Sequence, residues 1–175
     1  MKNGFALWIT GLPSSGKSTI AKHVTNRLRD DYNIPIVHLE LDELRKFLTP
    51  EPNYSAQERD WIYGILVKLA HLLTSNGVNV IIDATANKRE HRDNARASIA
   101  NFMEIYVKCP IEICQKRDVK GIYRKAQEGK THSVPGIHEP YEEPMAPDII
   151  IESDRTSADE SAAIILRKIE TFLKE

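Results

Sequence analysis

Gly11-Leu-Pro-Ser-Ser-Gly16-Lys17-Ser18-Thr19 places two glycines around four residues and follows them with Lys-Ser, the spacing of a phosphate-binding loop. The loop comes after a β-branched and aromatic run, Phe5 to Thr10, and opens a segment with Ile20, Ala21, Val24 and Leu28 at helical spacing. A loop between a strand and a helix can aim its amides and the helix N-terminus at a triphosphate. The pattern predicts ATP held by Gly11, Ser14, Ser15, Gly16, Lys17, Ser18 and Thr19, with Lys17 on the β- and γ-phosphates and Ser18 on Mg²⁺. The bland alternative is a glycine-rich turn with no ligand, and the flanking strand and helix weigh against it.

Kinases, GTPases and motor ATPases share such loops, so other residues must discriminate among them. A GTPase needs an Asn-Lys-x-Asp base reader after a strand, whereas Asn87-Lys88 is followed by Arg89-Glu90. A small-molecule kinase needs a carboxylate after the second strand to orient the acceptor hydroxyl, and a basic lid that excludes water. Asp42, with Glu40, fits the first need; Arg117, Lys120, Arg124 and Lys125, beside a proline-rich stretch, fit the second. Helix capping for Glu40 and Asp42, and a solvated face for the lid cations, are the plain alternatives.

The elements that must position these residues alternate along the chain. Strands are expected at Phe5 to Thr10, Ile34 to Leu41, Val78 to Ile82, Phe102 to Lys108 and Asp148 to Glu152. Helices are expected at Lys17 to Asp31, after the acidic turn to Leu48, from Ser55 to Asn76, Lys88 to Asn101, Pro110 to Lys130 and Ser157 to Glu175. The strands are near-continuous apolar runs, as in a parallel sheet buried on both faces. The fold class expected is α/β: a three-layer α/β/α sandwich of the P-loop kinase type, with five mainly parallel strands and a helical lid at about 117–142. One domain over 1–175 is the reading from length.

Composition narrows the class further. Among the 175 residues 41% are hydrophobic and 28% charged, and 24 Lys and Arg against 25 Asp and Glu leave a net charge of -1, which gives no sign of nucleic-acid binding. Apolar runs are far shorter than the roughly 20 residues a bilayer demands, and the start lacks a cleavage-site pattern. A cytoplasmic protein with no membrane segment is expected. The two cysteines, Cys109 and Cys114, fit neither a disulfide framework nor a zinc site; Cys109 reads as an inert buried thiol. His132 and His138 lack partners at zinc spacing and read as loop residues. Trp8 reads as core, and Trp61 as core or as part of the acceptor cleft.

The chain resembles adenylyl-sulfate kinases over nearly its whole length. The resemblance rests on Gly11 to Thr19, Leu39-Glu-Leu-Asp42-Glu-Leu-Arg45, Tyr54-Ser-Ala-Gln-Glu58-Arg59, Arg117-Asp-Val-Lys120-Gly-Ile-Tyr123 and Gly136-Ile-His-Glu-Pro-Tyr141-Glu142. It implies transfer of the ATP γ-phosphoryl to the ribose 3′-hydroxyl of adenylyl sulfate in sulfate assimilation, with Mg²⁺, and a possible homodimer. Carried over by position, Asp42 is the acidic residue at the acceptor, Lys120 the lid lysine, and Arg117 a nucleotide contact. Arg45 and Arg59 meet substrate phosphate, Tyr54 stacks on the base, and Gly136 and Ile137 belong to the acceptor loop. The chain also departs from the family. Asp-Gly-Asp is Glu40-Leu41-Asp42, the Asn-Ile-Arg-Arg stretch is Ile62-Tyr63-Gly64-Ile65, and a second stacking phenylalanine is Val134. Asp83 to Asn87 replaces Ser-Phe-Ile-Ser-Pro and resembles other phosphate-loop hydroxyl kinases, where such an aspartate acts at the acceptor or through Mg²⁺. The acceptor therefore stays open between adenylyl sulfate and another nucleotide-like molecule such as cytidine diphosphoramidate, and a nucleotide-binding switch is the reading from a different class.

Overall fold

The computed structural model describes residues 2–173, so the end of the helix expected to run to Glu175 lies outside the described residues. Five strands, β1 Phe5–Thr10, β2 Ile36–Glu40, β3 Asn79–Asp83, β4 Asn101–Lys108 and β5 Ile149–Glu152, form one sheet in the order β2-β3-β1-β4-β5. Every pairing is parallel, so the expected mainly parallel sheet is wholly parallel among the described residues. Parallel neighbours need crossovers, which the helices supply: α1 Lys17–Asp30, α2 Leu41–Leu48, α3 Ala56–Ser75, α4 Arg89–Ser98, α5 Ile111–Arg117, α6 Ile122–Gln127 and α7 Ala158–Leu173.

Strand alternation splits β1 between two cores. Phe5, Leu7 and Ile9 pack with Ile20, Val24 and Leu28 of α1 and with Ile165 and Ile169 of α7. Ala6 and Trp8 face the other way, onto Ile62, Tyr63 and Leu66 of α3 and Ala95 of α4. Trp8 is fully buried, as its sequence context predicts, and its indole N–H donates to the Ala84 carbonyl at 3.2 Å. Together these layers form the expected three-layer P-loop α/β sandwich. Among the described residues, no helix is long and apolar enough to cross a membrane.

Two expectations need correction. The basic segment 110–130 is two short helices, not one, because the Asp118 carboxylate accepts from the amides of Tyr123 and Arg124 and starts α6 anew, with Gly121 at φ +64° making the turn. The second strand also stops at Glu40, and Leu41 already belongs to α2. Elsewhere the boundaries shift by a residue or two at most, apart from the end of α4. At α3 the Ser55 hydroxyl accepts from the Glu58 amide, as the capping-box spacing predicts.

Candidate active site

The phosphate loop leaves β1 at Gly11 and enters α1 through Gly16, whose φ of +101° suits a residue without a side chain. A Cβ on Gly11 would lie 2.4 Å from the Val107 carbonyl oxygen, so only glycine lets the loop turn this close to β4. The loop is braced from behind. Ser153 donates to the Ser15 carbonyl at 2.6 Å, Arg117 donates to the Ser153 carbonyl at 2.7 Å, and the Tyr123 hydroxyl donates to the Pro13 carbonyl at 3.0 Å. Lys17 is buried, and its ammonium folds back onto the Leu12 carbonyl at 2.8 Å. Burial pushes its pKa down, against the charges of Asp83 and Asp42. The Ser15 hydroxyl is buried without a partner; Ser14 and Ser18 are half-buried and Thr19 is exposed.

Asp42 stands in the first turn of α2, about half exposed, and Lys120 of the α5–α6 turn donates to it at 2.5 Å. Burial opposes the charge on Lys120, but its bond to Asp42 and the charges of Asp42, Glu40 and Asp83 hold its pKa above the ordinary lysine value. The basic turn thus spans the cleft and meets the carboxylate expected to orient an acceptor. Arg124 and Lys125 remain exposed.

Asp83 ends β3, where it is the register partner of both Glu40 and Ile9. Its Oδ2 is buried and without a hydrogen bond, 3.9 Å from His38 Nε2, which is likewise unpaired. Burial lowers the His38 pKa, with Asp83 and Glu40 opposing. A buried carboxylate oxygen with no partner, whose charge is felt at Lys17, suits a cation beside the phosphates, so Mg²⁺ fits the donors present.

The residues placed at the acceptor by resemblance divide. Arg45 pairs with Glu58 at 3.0 Å and lies 5.1 Å from the centre of the Tyr54 ring, which is 43% exposed and open to a further stacking partner. Arg59 is buried and donates to the Tyr54 carbonyl, Asn87 Oδ1 and the Ser133 carbonyl, so three of its five N–H groups clamp α3 to the segment 131–147. Gly136, at φ +88°, packs on the phosphate loop: a Cβ there would lie 2.8 Å from Leu12 Cδ2, while Ile137 beside it is exposed. Val134 is 3% exposed, within a small core of Cys109, Cys114, Tyr123 and Ala126, and is no wall of an open base site. Trp61, expected in the core or the cleft, is 52% exposed on α3. Cys109 and Cys114 are buried and free, with burial raising the Cys114 thiol to about 12.

Val134→Phe therefore tests packing rather than base recognition. Forcing extra volume into a filled core costs about 1–3 kcal/mol, so Tm is expected to fall by roughly 2–12 °C for a domain of this size. A thermal melt checks it; an unchanged Tm would mean the site opens toward solvent.

Sequence reasoning left the structural roles of several organising residues unread. Asn87, which the sequence placed in a failed base reader and at the end of the segment after β3, holds Arg59 and donates to the Pro140 carbonyl at 3.4 Å. Tyr141 sets its hydroxyl 3.0 Å from Thr10 Oγ1; since Thr10 donates to the Thr85 carbonyl, Tyr141 is the donor. Arg92 is fully buried against Glu104. His38 had one usable signal, its two-residue offset from Glu40, which puts both on one face of β2.

A phosphate loop with a basic turn and a carboxylate nearby, carried on a sheet that is parallel throughout the described residues, is the arrangement of a phosphate-loop kinase, an enzyme that moves a phosphoryl group to a hydroxyl acceptor. Residues 3–152 match the sequence profile of the adenylylsulphate kinase family. The adenylyl-sulfate kinases of Rippkaea orientalis and Gloeothece citriformis are 38% and 37% identical over 170 residues; each match covers 97% of this chain, and 93% and 96% of those proteins. The Mycobacterium tuberculosis APS kinase, solved in complex with AMPPNP and APS, aligns with a TM-score of 0.89 at 34% identity, covering 97% of this chain and 99% of that one. The chain belongs to the adenylylsulphate kinase family.

Proposed function

We propose that the protein transfers the γ-phosphoryl of ATP to the ribose 3′-hydroxyl of adenylyl sulfate. The observation that carries this reading is the Lys120 to Asp42 contact, which joins the basic turn to the acceptor carboxylate across the cleft. In the reaction the loop amides from Ser14 to Thr19 cradle the phosphates, and Lys17 exchanges the Leu12 carbonyl for the β- and γ-phosphate oxygens. Ser18 and Asp83 would hold Mg²⁺, which would supply charge neutralisation for the transferring phosphoryl group. Asp42 accepts the hydrogen bond of the acceptor hydroxyl and orients it for in-line attack, while Lys120 is released from Asp42 toward the transferring group. Arg117 backs the loop, and segment 117–142 serves as the lid that keeps water out. Tyr54 stacks on the base, Arg45 and the exposed Ile137 line the acceptor side, and Gly136 keeps the lid loop against the phosphate loop. A cytoplasmic location suits such an enzyme.

The purified protein with ATP and Mg²⁺ is expected to form ADP and a 3′-phosphorylated product with adenylyl sulfate, at a kcat/KM above that for cytidine diphosphoramidate or free sugars. A higher kcat/KM for a cytidine acceptor would overturn the acceptor assignment and leave a kinase. ATP turnover that no hydroxyl acceptor raises would overturn the reading as a whole.

A further inference from the structure

We propose that His38, Glu40 and Asp83 form a binding site for a divalent transition-metal ion of the class of Mn²⁺, Co²⁺ or Zn²⁺, which fills without nucleotide. One donor atom from each of the three lies within 4.8 Å of the other two. Their convergence follows from the sheet. Strand alternation puts His38 and Glu40 on the face that Ile36 shares with α1, and β3 presents Asp83 on the same face, two residues beyond Ile81. Glu40 and Asp83 are register partners on neighbouring parallel strands, so two rigid elements bring the donors together.

The unsatisfied atoms point to a ligand. Asp83 Oδ2 and His38 Nε2 are both buried, neither makes a hydrogen bond, and they face each other at 3.9 Å, too far for a bond between them. Two buried polar atoms left unpaired cost stability unless something sits between them. A first-row ion about 2.0–2.2 Å from each donor sets donor separations from roughly 3 Å to just over 4 Å, within a small side-chain movement of those present. Lys22 lies 3.9 Å from Glu40 but is 62% exposed and can withdraw.

Donor chemistry selects the metal. Mg²⁺ favours oxygen donors and retained waters, whereas an imidazole with two carboxylates suits Mn²⁺, Co²⁺ or Zn²⁺. Asp83 is shared with the Mg²⁺ position proposed above, but Ser18 and the phosphates have no part here. Binding without ATP therefore stands or falls apart from the kinase reading.

The probe is Co²⁺ titrated into the full chain without nucleotide and read by visible absorption, with thermal melts alongside. Saturable bands at one ion per chain are expected to survive excess Mg²⁺, and Co²⁺ is expected to raise Tm. His38→Leu is expected to weaken binding by more than about tenfold, since losing even an outer partner of a metal ligand costs about 10–100-fold. Should His38→Leu not fold, Glu40→Gln must show the same loss. Bands that persist in the folded variants, vanish in a His132→Ala, His138→Ala double variant, or never appear would each overturn the site, whatever the kinase assay gives.

Discussion

Lys17→Ala is expected to lower kcat roughly 10²–10³-fold with ATP and acceptor saturating, the usual effect of deleting one preorganised donor aimed at developing charge. The side chain is well placed for that role. Its ammonium is buried within the loop, holds one carbonyl, and lies in the field of Asp83 and Asp42, which opposes the downward pull of burial on its pKa. When phosphate oxygens replace the Leu12 carbonyl, a neutral contact becomes a charge-assisted one around a buried ammonium, where such bonds are stronger. Because that gain grows as charge shifts in transfer, the loss should fall mainly on kcat and less on the KM for ATP. Folding should survive, since only one hydrogen bond is removed and Leu12 is half-buried. A melt near the wild-type Tm together with turnover near the wild-type rate would remove Lys17 from the chemistry; the same Tm with kcat down at least a hundredfold is the expected pair.

What the sequence disclosed follows from the range over which each feature is determined. The phosphate loop, the strand and helix alternation and the Ser55 cap are decided within about ten residues, and the structure has all of them. The break in the lid segment was also local, in Asp118-Val-Lys-Gly121, but its basic, helix-favouring composition masked an aspartate cap and a left-handed glycine. The destinations of long cations were not legible. Arg59 reaches Asn87 and Ser133, 28 and 74 residues away, so its type alone could not separate a phosphate contact from a clamp. Val134 misled for a related reason: position in a motif does not report whether a side chain faces the ligand or the small core beneath it. The pairing of His38 with Asp83 depended on the register of β2 against β3, which only the folded sheet fixes.

Arg92→Ala is expected to cost about 3–5 kcal/mol, the usual penalty for leaving a buried charge without its partner. At this chain length that lowers Tm by roughly 6–20 °C. Arg92 has no exposed side chain, and its guanidinium bonds Glu104 on β4 at 2.7 Å. It also donates to the carbonyls of Ala86 and Glu142 and lies 5.6 Å from the centre of the Tyr141 ring. Among the described residues Glu104 would keep Arg96 alone, more distant at 3.6 Å and partly exposed. The energetic and positional parts of this role can be separated. If the penalty is mainly an orphaned carboxylate, Arg92→Leu combined with Glu104→Leu should recover more than half of the lost stability, because both charges leave together. The double variant would still lack the donors that hold Glu142 and Ala86, so hydrogen exchange across 139–143 should stay faster than in the native protein even where Tm has returned. A double variant less stable than Arg92→Leu alone would mean that Glu104 is satisfied without Arg92. Unchanged exchange at 139–143 would mean that Tyr141 and Asn87 suffice to seat the acceptor loop.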